Sequence, residues 1–109
     1  MSQDCLFCKI IKKEIPSTIV FEDDETIAFK DIHPKAPTHI LIIPKEHIKS
    51  VLTLNEETKE VPAMLIWKAK EFATSKGIPG YRLTFHCGRE GGQIVDHIHL
   101  HLMAEQKML

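Results

Sequence analysis

The sequence predicts an α+β domain with a five-stranded, mainly antiparallel sheet, one long helix and one short helix. Three observations predict this class. Apolar and polar residues alternate in DHIHLHLM, residues 96–103, as they do in a half-buried strand. Apolar residues are nearly continuous in THILIIPK, as in a strand that is buried on both faces. Apolar residues also recur at helical spacing over residues 61–73.

The first half of the chain contains the short helix and three strands. CLFCKIIKKEIP has a rough apolar stripe and stops at Pro16, which predicts the short helix. Residues 18–21 and 26–29 are rich in β-branched and aromatic side chains and are separated by EDDE, which predicts a hairpin. THILIIPK, which is ended by Pro44, is the third strand.

The second half contains the long helix and two more strands. Thr53 and Glu56 form a possible capping box, and Gly77 can end the helix. Pro62 lies inside the helical pattern, so the helix either begins close before it or bends there. YRLTFHC is the fourth strand, GREGGQ is a glycine-rich connection, and IVDHIHLHLMA is the fifth strand.

Composition indicates one domain without a strongly charged surface. The chain has 109 residues, 43% of them hydrophobic, with no repeat or linker, so we expect a single domain over residues 1–109. The formal net charge is −1, and Lys and Arg are spread along the chain, which argues against a nucleic-acid partner. No apolar run approaches the roughly 20 residues that a membrane span needs. MSQDCLFCKIIKK lacks the hydrophobic region of a signal peptide, so we expect a cytoplasmic protein with no membrane partner.

Three histidines, His97, His99 and His101, would lie on one face of the fifth strand, and this face has three interpretations. The first is a solvated surface. The second is a catalytic metal site, but His97 and His101 would be about 13 Å apart on a strand, so at most two of the three rings can bind one ion. The third is nucleophilic and acid–base chemistry at phosphorus, which needs the rings on one face but not on one ion. The geometry favours the third.

The stretch HIHLHLM, residues 97–103, fits the pattern His-x-His-x-His-x-x, with x hydrophobic, of the histidine triad (HIT) superfamily. The resemblance extends over nearly the whole chain. FCKIIKKEIPSTIVFEDDETIAFKDIHPKAPTHILIIPKEHI is similar to the N-terminal half of the Hint branch, the purine nucleoside phosphoramidases, and GYRLTFHCGREGGQIVDHIHLHLM is similar to its C-terminal half. KDIHPKAPTH and GGQ follow the order and spacing of that branch, which makes the resemblance specific.

The resemblance implies a mechanism and four catalytic residues. In that family the middle histidine attacks the α-phosphorus of a nucleotide conjugate, and water then hydrolyses the nucleotidyl-histidine intermediate. By this resemblance His99 is the nucleophile, His101 contacts the bridging or leaving-group atom, and His97 orients the strand and its hydrogen bonds. His39 in PTHI matches a fourth histidine that supports proton movement, although from the residues alone it is equally a cap on a buried strand.

The resemblance also implies a nucleotide pocket. Asp31 in KDI matches the acid that hydrogen-bonds the ribose hydroxyls, and Gln93 after GG matches a phosphate-side position. Four apolar residues match the slot for the base, although without the family they are simply core residues: Phe7, Val20, Phe29 and Ile32. GREGGQ is not a Walker P-loop, because no Lys-Ser/Thr follows it and the next element is a strand.

Two positions depart from the family pattern. His86 occupies the position of an asparagine that donates to the phosphate, and Ile94 occupies that of a hydroxyl residue. An imidazole can donate one hydrogen bond to a phosphate oxygen, whereas isoleucine cannot. One lost donor to a developing charge costs about 3 kcal/mol, or roughly a hundredfold in rate. We therefore expect the reaction class to be kept and the rate or leaving-group preference to differ.

Cys5 and Cys8 have the spacing of two thiolate ligands to one zinc ion, although packing of free thiols is an alternative. Many prokaryotic triad proteins with this pair also carry a histidine after PK on the third strand, here His47. The resemblance therefore implies that His47 and His97 complete a structural zinc site. Four protein ligands leave no open position, so no catalytic metal is expected.

The sequence thus predicts an enzyme that hydrolyses purine nucleotide conjugates, such as phosphoramidates and adenylated amines, at the α-phosphorus. One alternative is dinucleoside polyphosphate hydrolysis, the activity of a neighbouring branch, which KDIHPKAPTH disfavours. Another is a non-catalytic nucleotide-binding module, which the Ile94 departure makes plausible. The resemblance also implies a homodimer whose sheets join edge to edge.

Overall fold

The computed structural model describes residues 5–107, which form one five-stranded sheet, two α-helices and two 3₁₀ helices. In chain order the elements are α1 (Leu6–Ile11), β1 (Ile19–Glu22), β2 (Thr26–Lys30), β3 (Thr38–Pro44), a 3₁₀ helix (Val51–Thr53), α2 (Val61–Ser75), β4 (Arg82–Phe85), a second 3₁₀ helix (Arg89–Gly91) and β5 (Leu100–Ala104). The predicted α+β class, with one long and one short helix, is confirmed.

The sheet has the strand order β1-β2-β3-β5-β4, and every neighbouring pair is antiparallel. β3 lies at its centre, and all seven of its residues are buried. One face packs on α2, through residues that include Ile40, Ile42, Leu100 and Leu102. The other face packs on α1, through residues that include Phe7, Phe29, Leu41 and Ile43. The continuous apolar run of β3 is thus explained by cover on both faces.

The start of α2 differs from the prediction. Pro62 lies in the first turn of the helix, where its missing N–H has no intrahelical partner to lose, so no bend is needed. The expected capping box of Thr53 with Glu56 is wrong. Thr53 instead pairs with Ser50 to cap the first 3₁₀ helix, and the N-cap of α2, Glu60, makes no side-chain cap bond. Within residues 5–107 no helix is both long and apolar enough to cross a membrane.

β5 is shorter than the alternating pattern predicts, because it begins only at Leu100. Residues 95–99 have no strand assignment. Their backbone bonds elsewhere: the N–H of His97 donates to the carbonyl of Val95, and the N–H of Ile98 donates to the carbonyl of Ile48. Of the three alternating histidines, only His101 therefore lies in the sheet, and the other two are oriented by different contacts.

Candidate active site

A cavity of about 580 Å³ opens on the sheet face opposite α2. β3 and β5 supply part of its wall, and loops before and after the strands supply the rest. Its lining residues are Asp31, His33, Lys35, His39, Leu41, His86, Gly92, Ile94, His99, His101 and Met103. Three of the four histidines predicted to be catalytic, His39, His99 and His101, are thus brought together at one surface.

His99 is held with its Nε2 atom free. Its Nδ1 atom lies 2.7 Å from the carbonyl oxygen of His97, which can only accept, so Nδ1 carries the proton and Nε2 keeps the lone pair. The ring of Phe7 packs against the imidazole at nearly a right angle, with 5.1 Å between ring centroids. Burial lowers the pKa of His99, and the hydrogen bond to His97 only partly opposes this. A neutral imidazole with a free Nε2 is a competent nucleophile.

His101 and His39 form a hydrogen-bonded pair. The backbone N–H of Lys35 donates to Nδ1 of His39, so the proton of a neutral His39 is on Nε2. That Nε2 lies 2.9 Å from Nδ1 of His101, which must accept, and the proton of His101 is therefore on its own Nε2. This Nε2 is buried and has no hydrogen-bond partner among residues 5–107. His101, which lines the cavity, thus has an unused N–H donor, and the centroid of its ring is 5.0 Å from that of His99.

Asp31 adds one negative charge to this pair. Its Oδ2 atom lies 3.5 Å from Nε2 of His39, and its Oδ1 atom accepts from the backbone N–H of His33. Burial lowers the pKa of both His39 and His101, in the latter to about 4, and the charge of Asp31 opposes this only in part. Both rings are therefore neutral near pH 7, and the N–H of His101 is the donor that the pair leaves unused.

The other residues expected at the nucleotide occupy different places. His86 lines the cavity, with its ring centroid 4.6 Å from that of His101. Ile32 is 82% exposed and lines an adjoining groove that shares Asp31 with the cavity. Phe7 and Phe29 are buried and in edge contact with each other. They lie in the core beside His99 and not among the residues that line the cavity.

Val20 lies away from the cavity. It packs on the α2 side of the sheet, because β1 has an irregular register between Ile19 and Phe21. Ile19 is directly paired with Phe29 and so shares the face of Phe29. The bulge therefore puts Ile19, and not Val20, on the side of the sheet that carries the histidines. Sequence alternation gives no signal of such a bulge.

Gln93 is buried and does not line the cavity. Its side-chain amide donates to the carbonyls of Lys49 and Val95, and its Oε1 atom accepts from the backbone N–H of Gly88. All of these partners are main-chain groups, so the side chain secures the glycine-rich loop. That loop reaches the cavity at Gly92, whose φ of 92° is a conformation that glycine adopts without strain.

Four cavity residues were not singled out from the sequence. Leu41 and Met103 each lie two positions after a cavity histidine on the same strand, so the two-residue period that identified the histidines also points to them. His33 and Lys35 lie on the connection between β2 and β3, where no periodic pattern applies.

Cys5, Cys8, His47 and His97 form a second cluster. Their ligand atoms all lie within 4.8 Å of one another, with Sγ of Cys8 3.2 Å from Nδ1 of His47 and Sγ of Cys5 3.4 Å from Nδ1 of His97. Nε2 of His97 donates to the carbonyl of Pro44, so its Nδ1 lone pair faces the thiols. Such a second contact is typical of a metal-ligating histidine, and two thiols with two imidazoles form a common zinc donor set. The cluster therefore fits a metal ion.

Comparison with known sequences extends over nearly the whole chain. A family model described as "Scavenger mRNA decapping enzyme C-term binding" matches residues 4–109. The chain is 47% identical to the purine nucleoside phosphoramidase of Escherichia coli K12 over 105 residues, which are 94% of this chain and 88% of that protein. It is 42% identical over 109 residues to an uncharacterized HIT-like protein of Synechococcus elongatus, covering 99% of this chain and 96% of the relative.

Solved structures have the same fold. A histidine triad protein from Clostridium difficile has a TM-score of 0.93 at 40% identity, covering 100% of this chain and 96% of that one. A HIT family hydrolase from Legionella pneumophila has a TM-score of 0.89 at 49% identity, covering 97% and 96%. With the histidine geometry above, these matches show that the chain belongs to the histidine triad (HIT) family and is an enzyme of that family.

Proposed function

We propose that this enzyme hydrolyses purine nucleotide conjugates, such as nucleoside phosphoramidates and adenylated amines, at the α-phosphorus through a covalent nucleotidyl intermediate on His99. The observation that carries the proposal is the hydrogen bond from Nδ1 of His99 to the carbonyl of His97, which leaves Nε2 free in the cavity. The 47% identity to a purine nucleoside phosphoramidase supports the substrate class.

In the first step, Nε2 of His99 attacks the α-phosphorus, and a new N–P bond forms. The P–N bond of the substrate breaks, its electron pair stays on the leaving nitrogen, and this nitrogen takes a proton from solvent while Nε2–H of His101 donates a hydrogen bond to it. His99 gains one positive charge, which balances the proton taken from solvent. His101 stays neutral, because loss of its Nε2 proton would leave an uncompensated negative charge in a buried site.

In the second step, a water molecule attacks the phosphorus. The bond from phosphorus to His99 breaks, its electron pair returns to Nε2, and one proton of the water returns to solvent. The products are a nucleoside 5′-monophosphate and a free amine, and His99 returns to its starting state. His39 keeps Nδ1 of His101 occupied by a donor in both steps, so the proton of His101 remains on Nε2.

The rest of the cavity supplies nucleotide contacts. Asp31 accepts from the ribose hydroxyls, and its place in both the cavity and the adjoining groove supports this role. Ile32 offers an apolar surface for the base in that groove. His86 donates to a phosphate oxygen. Ile94 is 83% exposed at the cavity and offers no donor, so we expect slower turnover than in a site with a hydroxyl group there.

We propose that the metal held by Cys5, Cys8, His47 and His97 is zinc. The ion would cross-link α1, the residues after β3 and the segment before β5. With four protein ligands it supplies structural stability and has no position at which to activate water.

We also propose a homodimer. β4 is an edge strand with an unpaired side, and three of its four residues are partly buried. On α2, Ile66 and Trp67 are 44% and 58% exposed. Open sheet edges and exposed apolar side chains are the features that a second copy of the chain would cover.

Adenosine 5′-phosphoramidate tests the proposed reaction. We expect the parent protein to release AMP and His99→Ala to release none. Mass spectrometry of protein quenched during turnover should show an adenylylated chain in the parent only. Cys87→Ser is a matched control, because this half-buried thiol lies beside His86 and its removal should leave the adduct in place. Turnover by His99→Ala, or faster turnover of a dinucleoside polyphosphate, would contradict the proposal.

A further inference from the structure

One residue belongs to both the metal cluster and the nucleophile's environment. The ring of His97 faces the thiols of Cys5 and Cys8 through Nδ1 and donates to the carbonyl of Pro44 through Nε2. The backbone carbonyl of the same residue accepts the Nδ1 proton of His99. The side chain of His97 is fully buried, so its partners in the cluster define its position.

A second connection runs through α1. Phe7 lies between the two cysteines in sequence, and its ring contacts the rings of both His99 and His97, with centroid distances of 5.1 and 6.1 Å. A six-residue helix is too short to be stable by itself, so tertiary contacts must hold it in place. Cys5 and Cys8 are the residues through which a bound metal would do so.

The backbone around the nucleophile has little support from the sheet. The β3–β5 pairing begins at Leu100, and residues 97–99 precede it. The direction of the His97 carbonyl therefore depends on the bond from Ile98 to the carbonyl of Ile48, on the short contact to Val95, and on the anchored ring of His97. Of these three supports, the anchored ring is the one that loss of a metal would weaken.

We propose that Cys5, Cys8, His47 and His97 are positioning residues for hydrolysis. A metal ion bound by them fixes the carbonyl of His97 and the ring of Phe7, and these two groups hold His99 in the tautomer that leaves Nε2 free. The inference rests on the proposed role of His99. Metal loss should lower kcat with little change in nucleotide affinity, because the expected ribose and base contacts lie on the connection between β2 and β3.

His47 is the ligand best suited to a test. It is half-buried, contacts Cys8 and His97, and does not line the cavity. With Zn²⁺ as the probe metal, we expect His47→Ala to lose stoichiometric zinc and to lower kcat for adenosine 5′-phosphoramidate about tenfold or more, with AMP affinity unchanged. His47→Cys restores a zinc ligand and should recover both. Glu46→Ala, at the exposed neighbouring position, should keep both zinc and kcat.

Nitrogen-15 NMR of the histidine rings gives a readout that does not depend on activity. In the zinc-loaded parent, Nδ1 of His99 should be protonated and Nε2 not, whereas zinc-free His47→Ala should show a mixture of the two tautomers. Phe7→Leu keeps every ligand and covers the case in which His47→Ala does not fold. The kcat of this variant should be lower than that of the parent, whereas its zinc content and its AMP affinity should equal those of the parent.

Four results would overturn the inference: a parent that binds no Zn²⁺, a zinc-free His47→Ala with the kcat of the parent, a joint loss of kcat and AMP affinity, or a His99 tautomer that ignores zinc. An inactive parent or an active His99→Ala overturns the proposed function instead. The two failures are therefore distinguishable.

Discussion

His97 and His101 occupy equivalent positions in one alternating run, but they have different partners. The ring of His97 faces two thiols, whereas that of His101 faces another imidazole and an open cavity. Burial lowers the pKa of both rings to about 4, so burial does not distinguish them. The difference lies in the groups at Nδ1: thiols give His97 the surroundings of a metal ligand, while the donor from His39 leaves His101 with an unused N–H.

The histidine between them has the opposite tautomer. In His97 and His101 the partners place the proton on Nε2, whereas the carbonyl that faces His99 places it on Nδ1. One run of three histidines thus contains a ring that faces two thiols, a ring with a free Nε2 lone pair and a ring with an unused N–H donor. Hydrogen-bond partners, rather than residue type or burial, therefore assign the tautomer of each ring.

The largest expected effect is on kcat, and it distinguishes His101 from His97. His101→Ala should lower kcat about a thousandfold, because it removes the N–H group that donates a hydrogen bond to the leaving nitrogen. It should leave the zinc content of the protein unchanged. His97→Ala should lose zinc. Measurement of kcat together with zinc per chain checks both variants, and loss of zinc from His101→Ala would contradict the separation.

Zinc should stabilise the folded protein only through the cluster that contains His97. At a free zinc concentration of about a hundred times Kd, the free energy of unfolding should rise by about 2.7 kcal/mol. The rise should disappear in Cys8→Ala and persist in His101→Ala. Urea denaturation with and without zinc measures it. An equal rise in Cys8→Ala would place the metal elsewhere.

A smaller effect on kcat is expected from substitution of His39, the hydrogen-bond partner of His101. His39→Ala removes the donor to Nδ1 of His101, and we expect kcat to fall about tenfold, the equivalent of about 1.4 kcal/mol. His39→Gln keeps an N–H donor and should retain more of the activity. Equal kcat values for these two variants would show that the hydrogen bond does not orient His101.

A further effect is expected on the pH dependence of stability. Folding lowers the pKa of His101 from 6.5 to about 4, because burial disfavours the charged ring. The unfolded chain therefore binds more protons in this range. The contribution of His101 to the free energy of unfolding is fully present above pH 6.5 and is lost as the pH falls from 6.5 towards 4. The ionisable groups that face this ring are His39, Asp31, His86 and His99.

Comparison of the parent with His101→Gln isolates this contribution. Both proteins are unfolded with urea at about pH 7 and about pH 5, at the same zinc concentration. The parent should lose more of its free energy of unfolding than the variant between these two pH values. Equal losses would show that His101 titrates normally in the folded protein.

Much of the fold could be predicted because its signals are local. The apolar run of β3, the β1–β2 hairpin and the helical spacing of α2 each involve residues close in sequence. The predictions failed where a local pattern had two structural solutions. Thr53 capped a 3₁₀ helix in place of α2, and a bulge exchanged Val20 for Ile19 on the face of β1 that carries the histidines.

By itself the sequence determined which residues to expect at the two clusters: three alternating histidines, a Cys-x-x-Cys pair, and His39 and His47 near the two ends of a buried strand. Only the tertiary structure decided which nitrogen of each ring is free, that β5 begins after His99, and that Gln93 hydrogen-bonds main-chain groups and so secures the glycine-rich loop. The physical reason is distance along the chain. The partner of His101 is 62 residues away and that of Cys5 is 92 residues away, so no local pattern contains these contacts.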